Sequence, residues 1–148
     1  MKLEGLHHIT AITGDAPRNV DFYVRVLGLR MVKKSVNQDD PTVYHLFYAD
    51  EDASPGADLT FFEYPNSRPG RAGAGMVHRI VWRVASEAAL DFWAGRLGAK
   101  GVEAERDGAS LRFADPEGRP GTRRRSCRRR ASRSRRRRRG GRRSGRPG

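Results

Sequence analysis

The chain has 148 residues, which suits one compact domain or two small halves of one. Its net charge of +13 is the sum over two unlike parts, because residues 119–148 contain 16 arginines and no acidic residue. Removing these arginines from the 30 basic residues leaves 14 basic against 17 acidic residues in residues 1–118. The high overall charge therefore gives no information about which partners the first 118 residues bind.

The compartment is predicted from cysteine use and from the absence of long apolar runs in the sequence. The single cysteine, Cys127, lies among the arginines, so residues 1–118 form no disulfide and suit a reducing compartment. No run resembles the apolar stretch of a signal peptide or approaches a membrane span. We expect a cytoplasmic protein with no membrane partner.

Residues 1–65 predict a β-α-β-β-β unit, with strands over 6–13, 29–36, 42–48 and 58–64. Asp15 is a suitable cap for the helix, which follows the first strand. Apolar residues then recur at helical spacing up to Leu27, and Gly28 suits a left-handed stop.

Residues 66–75 are rich in glycine and proline and are predicted to be a linker, after which a second unit occupies 76–118. Its predicted strands cover 77–84, 102–106 and 111–114, with Asp107-Gly108 as a hairpin turn. Ser86 is the predicted cap of its helix, which is expected to end at Gly98.

The two units share a repeated pattern. The segment Asp21-Phe22-Tyr23-Val24-Arg25-Val26-Leu27-Gly28 is echoed 70 residues later by Asp91-Phe92-Trp93-Ala94-Gly95-Arg96-Leu97-Gly98. Upstream, His7-His8-Ile9 is echoed 71 residues later by His78-Arg79-Ile80. A steady offset of this kind indicates one supersecondary unit that is used twice.

The repeat fails where the second unit should form its fourth strand. From Arg119 onward the sequence has no apolar alternation, so we predict that the second unit is truncated and that 119–148 is a disordered arginine-rich tail. The strand at 111–114 would then be an exposed edge, which favours pairing with another chain as a homo-oligomer.

Two hypotheses account for residues 119–148. Most of their residue types have GC-rich codons and they show no periodicity, which is typical of an out-of-frame translation of GC-rich coding sequence. Alternatively, the segment is a basic arm that binds nucleic acid or other polyanions without sequence specificity.

Several motifs in order resemble the vicinal oxygen chelate superfamily, which contains glyoxalase I, the bleomycin-resistance proteins and extradiol dioxygenases. The segments Gly5-Leu6-His7-His8-Ile9-Thr10 and Tyr44-His45-Leu46-Phe47-Tyr48-Ala49-Asp50 most resemble the N-terminal half of ring-cleaving dioxygenases of the hydroquinone type. The resemblance implies an α+β fold of paired βαβββ units. It also implies metal-dependent cleavage of a small aromatic diol.

The resemblance further implies a site of two histidines and one glutamate that holds a divalent metal. Fe(II) is the first expectation for this metal and Mn(II) is the second. His8 lies at the position of the first-strand ligand. Alternation along the strand places Thr10 on the same face, where it would contact a ligand or water, and places His7 outside the site.

The second unit offers His78 and Arg79. Alignment of the two units puts Arg79 opposite His8, so His78 is one residue out of phase and points to the other face of its strand. We therefore prefer a structural role for His78 over a role as metal ligand. Arg79, in the pocket position, is a candidate for binding an anionic group of the substrate.

Asp58 heads the fourth strand, where glyoxalase-type relatives place a ligand glutamate, although aspartate is also common after a Pro-Gly turn. Glu63 is interpreted as a solvated carboxylate and His45 as a hydrogen-bonded strand histidine. Four aromatic residues are expected in the core: Phe61, Phe62, Trp82 and Trp93.

The predicted metal site is incomplete. Since no acidic residue follows Glu117, the second unit lacks the carboxylate that its last strand carries in relatives, and catalytic metal sites need about three protein ligands. We expect weak metal binding and little or no activity, and no catalytic residue is assigned. The alternatives are a non-catalytic binding module of the bleomycin-resistance type and a glyoxalase-type lyase that uses Asp58.

Overall fold

The computed structural model describes residues 6–125 except 55, 69 and 72. Cys127 and the greater part of the predicted disordered tail therefore lie outside the described residues. The strands, numbered β1 to β8, cover His8–Thr13, Arg30–Val36, Tyr44–Ala49, Asp58–Glu63, Ile80–Val84, Ala104–Asp107, Ser110–Ala114 and Pro120–Arg125. The helices are α1 (Ala16–Val20), a π-helical continuation (Asp21–Val26) and α2 (Glu87–Ala99).

The strands form two four-stranded sheets with the same topology. The first has the order β1-β4-β3-β2 and the second the order β5-β8-β7-β6. In each sheet the first and last strands of the unit pair in parallel, and the remaining neighbours are antiparallel. The prediction of paired βαβββ units in an α+β fold is confirmed.

The first helix begins and ends as its sequence predicts. The Asp15 side chain accepts a hydrogen bond from the Arg18 amide at 3.0 Å, and Gly28 has a φ of +71°. Within the helix, the Leu27 amide donates to the Phe22 carbonyl at 2.9 Å, five residues back, which is the π-helical pattern.

Helix α2 begins after Ser86, whose hydroxyl accepts from the Ala89 amide at 3.2 Å. Its predicted end at Gly98 is wrong. The helix continues to Ala99, and Gly101 adopts the left-handed conformation with a φ of +71°. The amide of Val102 then donates to the Leu97 carbonyl at 2.9 Å and closes the last turn.

The predicted absence of a fourth strand in the second unit is also wrong. Strand β8 lies between β5 and β7, and each of its residues from 120 to 124 has a partner in β7. Without it, both neighbours would present unpaired backbone groups, and this backbone pairing prevails over the poor strand propensity of the segment. Because β7 pairs on both sides, the argument for a homo-oligomer from an exposed edge at β7 no longer holds.

One hydrophobic core joins the two units. Its fully buried members come from the helices and from the inward face of each sheet: Tyr23, Leu46, Tyr48, Phe61, Leu90, Leu97 and Leu111. Phe22 and Phe113 lie 6.5 Å apart between ring centroids and connect the first helix to the second sheet. The outward face of the first sheet is left available for a site.

Candidate functional site

The candidate site lies on the outward face of the first sheet. Along β1, His8, Thr10 and Ile12 are exposed, whereas Ile9 and Ala11 pack against the core. We call this surface the open face; its other members, placed by strand register, are Asp58, Thr60, Phe62, His45, Phe47 and Lys33. The predicted alternation that puts His8 and Thr10 on one face of β1 agrees with this pattern of exposure.

Parallel pairing of β1 with β4 brings three predicted site residues together. His8 is opposite Asp58, and Thr10 is opposite Thr60. The Thr60 hydroxyl donates to the Thr10 hydroxyl at 2.8 Å, which fixes the Thr10 side chain on the open face. The site therefore offers the imidazole of His8, the carboxylate of Asp58 and the hydroxyl of the exposed Thr10, whereas Thr60 is fully buried.

His7 differs from its predicted place outside the site. Its Nδ1 lies 2.8 Å from Nδ1 of His8, and the two rings meet edge to face with centroids 5.1 Å apart. His7 precedes the first residue of β1, so strand alternation does not constrain its direction. The two imidazoles share one hydrogen bond, and His7 is placed to orient the ring of His8.

The remaining predicted residues do not complete a metal site within the described residues. His78 and Arg79 are both exposed and precede the first residue of β5. Among the described residues, no group of three histidine, cysteine, aspartate or glutamate side chains is placed to hold a metal ion. His8 and Asp58 thus supply at most part of a ligand set.

His45 was predicted to be a hydrogen-bonded strand histidine, and this is wrong for its Nε2 atom. That nitrogen is buried and has no hydrogen-bond partner among the described residues. The ring packs against Phe47 and Phe62, at centroid distances of 4.0 and 4.1 Å. Burial lowers the pKa of His45, and the neighbouring charges of His8 and Lys33 lower it further.

Phe62 was predicted to be core and instead lies on the open face, half-buried against His45. With Phe47 and His45 it forms an aromatic platform, which consists of these three rings. The ammonium of Lys33 lies 5.5 Å from the centroid of the Phe47 ring. Sequence patterns do not reveal the platform, because its members come from β3 and β4 and meet only through the pairing register of these two strands.

Glu63 also departs from its prediction. It is half-buried, and its Oε1 accepts a hydrogen bond from the Ala16 amide at 2.7 Å, at the start of α1. A carboxylate is favourable at a helix N-terminus. Glu63 therefore positions the helix that follows β1 and is not a free strand-end carboxylate.

A second group of polar residues, which we call the clasp, joins the two units: Tyr23, Asp115, Glu117 and Arg119. Arg119 donates to the Asp115 carboxylate at 2.9 Å and to the Ile12 carbonyl at 2.7 Å. The buried Tyr23 hydroxyl donates to the same carboxylate at 3.0 Å, and burial together with Asp115 raises the pKa of Tyr23. The clasp thus connects β7 and β8 directly to β1, the strand that carries His8.

Within the described part of the chain, no helix is long and apolar enough to span a membrane.

Known proteins similar to this chain are dioxygenases by name. The chain is 50% identical over 123 residues to a protein named "Putative ring-cleaving dioxygenase MhqA" from Bacillus subtilis (strain 168), covering 80% of this chain and 39% of that protein. It is 38% identical over 94 residues to the chlorohydroquinone/hydroquinone 1,2-dioxygenase of Sphingobium indicum, covering 62% and 29%. The chain therefore spans about two fifths or less of the length of these relatives.

A solved structure supports the same relationship. The crystal structure of a protein described as a "putative dioxygenase" from Bacillus subtilis superposes with a TM-score of 0.75 and 41% sequence identity. The match covers 82% of this chain and 40% of the other. The profile of the Glyoxalase/Bleomycin resistance protein/Dioxygenase superfamily matches residues 5–119. This chain belongs to that superfamily.

Proposed function

We propose that this chain carries part of an active site for metal-dependent, extradiol-type ring cleavage of aromatic diols. The observation that supports this most is the placement of His8 on the open face, opposite Asp58 and beside Thr10. An imidazole and a carboxylate on one accessible face are suitable ligands for Fe(II) or Mn(II). The name of the Sphingobium indicum relative, a chlorohydroquinone/hydroquinone 1,2-dioxygenase, supports aromatic diols as the substrate class.

The described residues do not fit a complete catalytic metal centre. Such centres use about three protein ligands, and His8 with Asp58 provides two. Strand β8 could have brought a carboxylate to the site. It contains no acidic residue, since Glu117 is the last acidic residue of the sequence. We therefore expect the 148-residue chain to bind a divalent metal weakly and to turn over little or no substrate.

Metal titration of His8→Ala and His78→Ala tests this proposal. His8→Ala should abolish the weak binding of Mn(II) or Fe(II), measured by calorimetry or by paramagnetic broadening of NMR signals. His78→Ala is the matched control and should leave the affinity unchanged, because His78 lies outside the open face. Equal affinities in both variants would contradict the assignment of His8, and robust Fe(II)-dependent ring cleavage by this chain would contradict the incomplete site.

A second candidate is a non-catalytic module that binds a small aromatic molecule. It is favoured by the incomplete ligand set among the described residues and by the aromatic platform beside it. Binding of hydroquinone in the presence of a chelator, with no change when Mn(II) is added, would favour this candidate over the metal-dependent one.

A further inference from the structure

The open face places a cation at one side of the aromatic platform. Pairing of β2 with β3 puts Lys33 opposite Phe47, and its ammonium lies 5.5 Å from the centroid of that ring. On the next strand Thr60 is opposite Phe47, and Thr10 is opposite Thr60. One row across the sheet therefore runs from Lys33 past the Phe47 ring and the buried Thr60 to the exposed hydroxyl of Thr10, two residues from His8.

The platform is suitable for a planar ring. The half-buried ring of His45 packs against the rings of Phe47 and Phe62 at centroid distances of 4.0 and 4.1 Å, so the ring faces cover one another and the ring edges form the exposed aromatic surface. An aromatic ligand whose face meets these ring edges gains edge-to-face contacts in addition to burial of area. The neighbouring exposed Ile12, which is opposite Phe62, extends the apolar surface.

The charges around the platform favour a negatively charged ligand. The ammonium of Lys33 lies 5.5 Å from the centroid of the Phe47 ring, and that ring packs against His45 at a centroid distance of 4.0 Å. Asp58 is the one acidic residue among the members of the open face named above, and it lies at the His8 end, away from Lys33. Lys33 therefore presents a positive charge at the far side of the ring platform, and among the described residues it forms no ion pair with an acidic side chain.

We propose that the platform and Lys33 form a subsite for an anionic aromatic ligand, with the ring on His45, Phe47 and Phe62 and the anionic group at Lys33. This inference rests on the proposed function, because it names the substrate class of the same site: an aromatic diol that also carries a carboxylate or a similar anionic group. The diol hydroxyls would then point along the row toward Thr10 and His8. Arg79, which the sequence suggested for an anionic group, is not needed for this arrangement.

The neighbouring Lys34 provides a matched control. Lys34 pairs with Leu46, whose side chain is in the core, and its ammonium lies 3.7 Å from the centroid of the Tyr44 ring on the opposite face of the sheet. The substitutions Lys33→Gln and Lys34→Gln change the net charge equally and remove one cation–π contact each. Only Lys33→Gln removes a charge from the open face.

The test compares 2,5-dihydroxybenzoate with hydroquinone by NMR titration of the full chain in the presence of a chelator, followed on the ring signals of His45 and Phe62. We expect the carboxylate-bearing diol to bind about fivefold more tightly than hydroquinone, the effect of one exposed ion pair. Lys33→Gln should remove this preference and Lys34→Gln should keep it. The arginine-rich residues 119–148 attract anions equally in both variants, so the difference between the variants reports on Lys33.

The outcomes separate this inference from the proposed function. Three results would overturn the subsite and leave metal binding by His8 untouched. They are equal binding of both probes, an equal loss of the preference in the two lysine variants, and no shift of the His45 ring signals. Retention of the Lys33-dependent preference, together with an unchanged metal affinity in His8→Ala, would support the subsite and overturn the metal-dependent function. Raising the salt concentration should reduce the preference.

Discussion

The carboxylate of Glu117 accepts a hydrogen bond from the backbone amide of Gly14, 2.6 Å away across 103 residues of chain. The same oxygen accepts from the hydroxyl of the buried Thr13 at 3.0 Å. Glu117 belongs to the turn between β7 and β8, and Thr13 and Gly14 follow directly from the β1 residues on the open face. The end of β1 is thus held in place by the second unit, so the candidate site depends on both units.

Glu117→Gln should lower the free energy of unfolding by about 1–3 kcal/mol, because the charged acceptor of a backbone amide and a buried hydroxyl becomes a weaker one. Urea denaturation checks this. Glu105→Gln is the control, because Glu105 lies on the exposed strand β6. This substitution should lower the free energy of unfolding by less than about 0.5 kcal/mol. Equal losses of stability in the two variants would contradict the stabilising role of Glu117 in the clasp.

Arg119→Ala should destabilise the protein by about 3 kcal/mol, since it leaves the buried carboxylate of Asp115 without its cation. The Asp115 side chain is 4% exposed and that of Arg119 is 23% exposed, so solvent compensates poorly. Arg112→Ala removes the ion pair between Arg112 and Asp107, whose side chains are both about half-exposed, and should cost less than about 1 kcal/mol. A cost as small for Arg119 as for Arg112 would show that the Asp115 pair contributes little.

The elements with strong local signals could be predicted from the sequence. Asp15 and Ser86 cap their helices as expected, Gly28 is left-handed, and the alternation along β1 separates His8 from Ile9. These features depend on neighbours within a few residues, which a sequence pattern reveals. The aromatic platform and the clasp depend on strand register and on contacts between units, which no local pattern specifies.

Arg119 shows where local patterns mislead. By composition it belongs to the arginine-rich segment, but in the structure it donates to Asp115 and to the Ile12 carbonyl. Strand β8 has no apolar alternation, yet its backbone completes the second sheet. Composition alone could not distinguish an arginine with a defined partner from its neighbours.

The hydrogen bonds of Arg119 and the close packing around Gly121 predict where an out-of-frame segment would begin. Both residues have defined roles in the fold, so we expect the change of frame after codon 121 and not at codon 119. The nucleotide sequence beyond that codon, translated in the other two frames, provides the check. A frame that continues as an apolar strand with a glutamate would support the change; stop codons in both frames would contradict it.

Gly121→Ala should destabilise the protein by about 1–3 kcal/mol, since a Cβ at this position would lie 2.7 Å from the Phe113 ring and 3.1 Å from Trp82. Gly98→Ala is the matched control. Gly98 lies in α2, a Cβ there has open space, and alanine should stabilise the helix by about 0.5–1 kcal/mol. Thermal melts of the two variants should therefore shift in opposite directions, and a neutral Gly121→Ala would show that β8 is not packed against β5 and β7.

The stability of the protein should depend on the protonation of His45. Burial between Phe47 and Phe62, with the charges of His8 and Lys33, lowers its pKa in the folded state, so the unfolded chain binds a proton more readily. The stability gained from a neutral His45 is present above the unfolded pKa of about 6.5 and decreases as the pH falls below it. Urea denaturation at pH 7.5 and pH 5.5 should therefore show a larger loss for the wild type than for His45→Phe, which keeps the ring and removes the titration. Equal losses in the two proteins would show that His45 titrates alike in the folded and unfolded states.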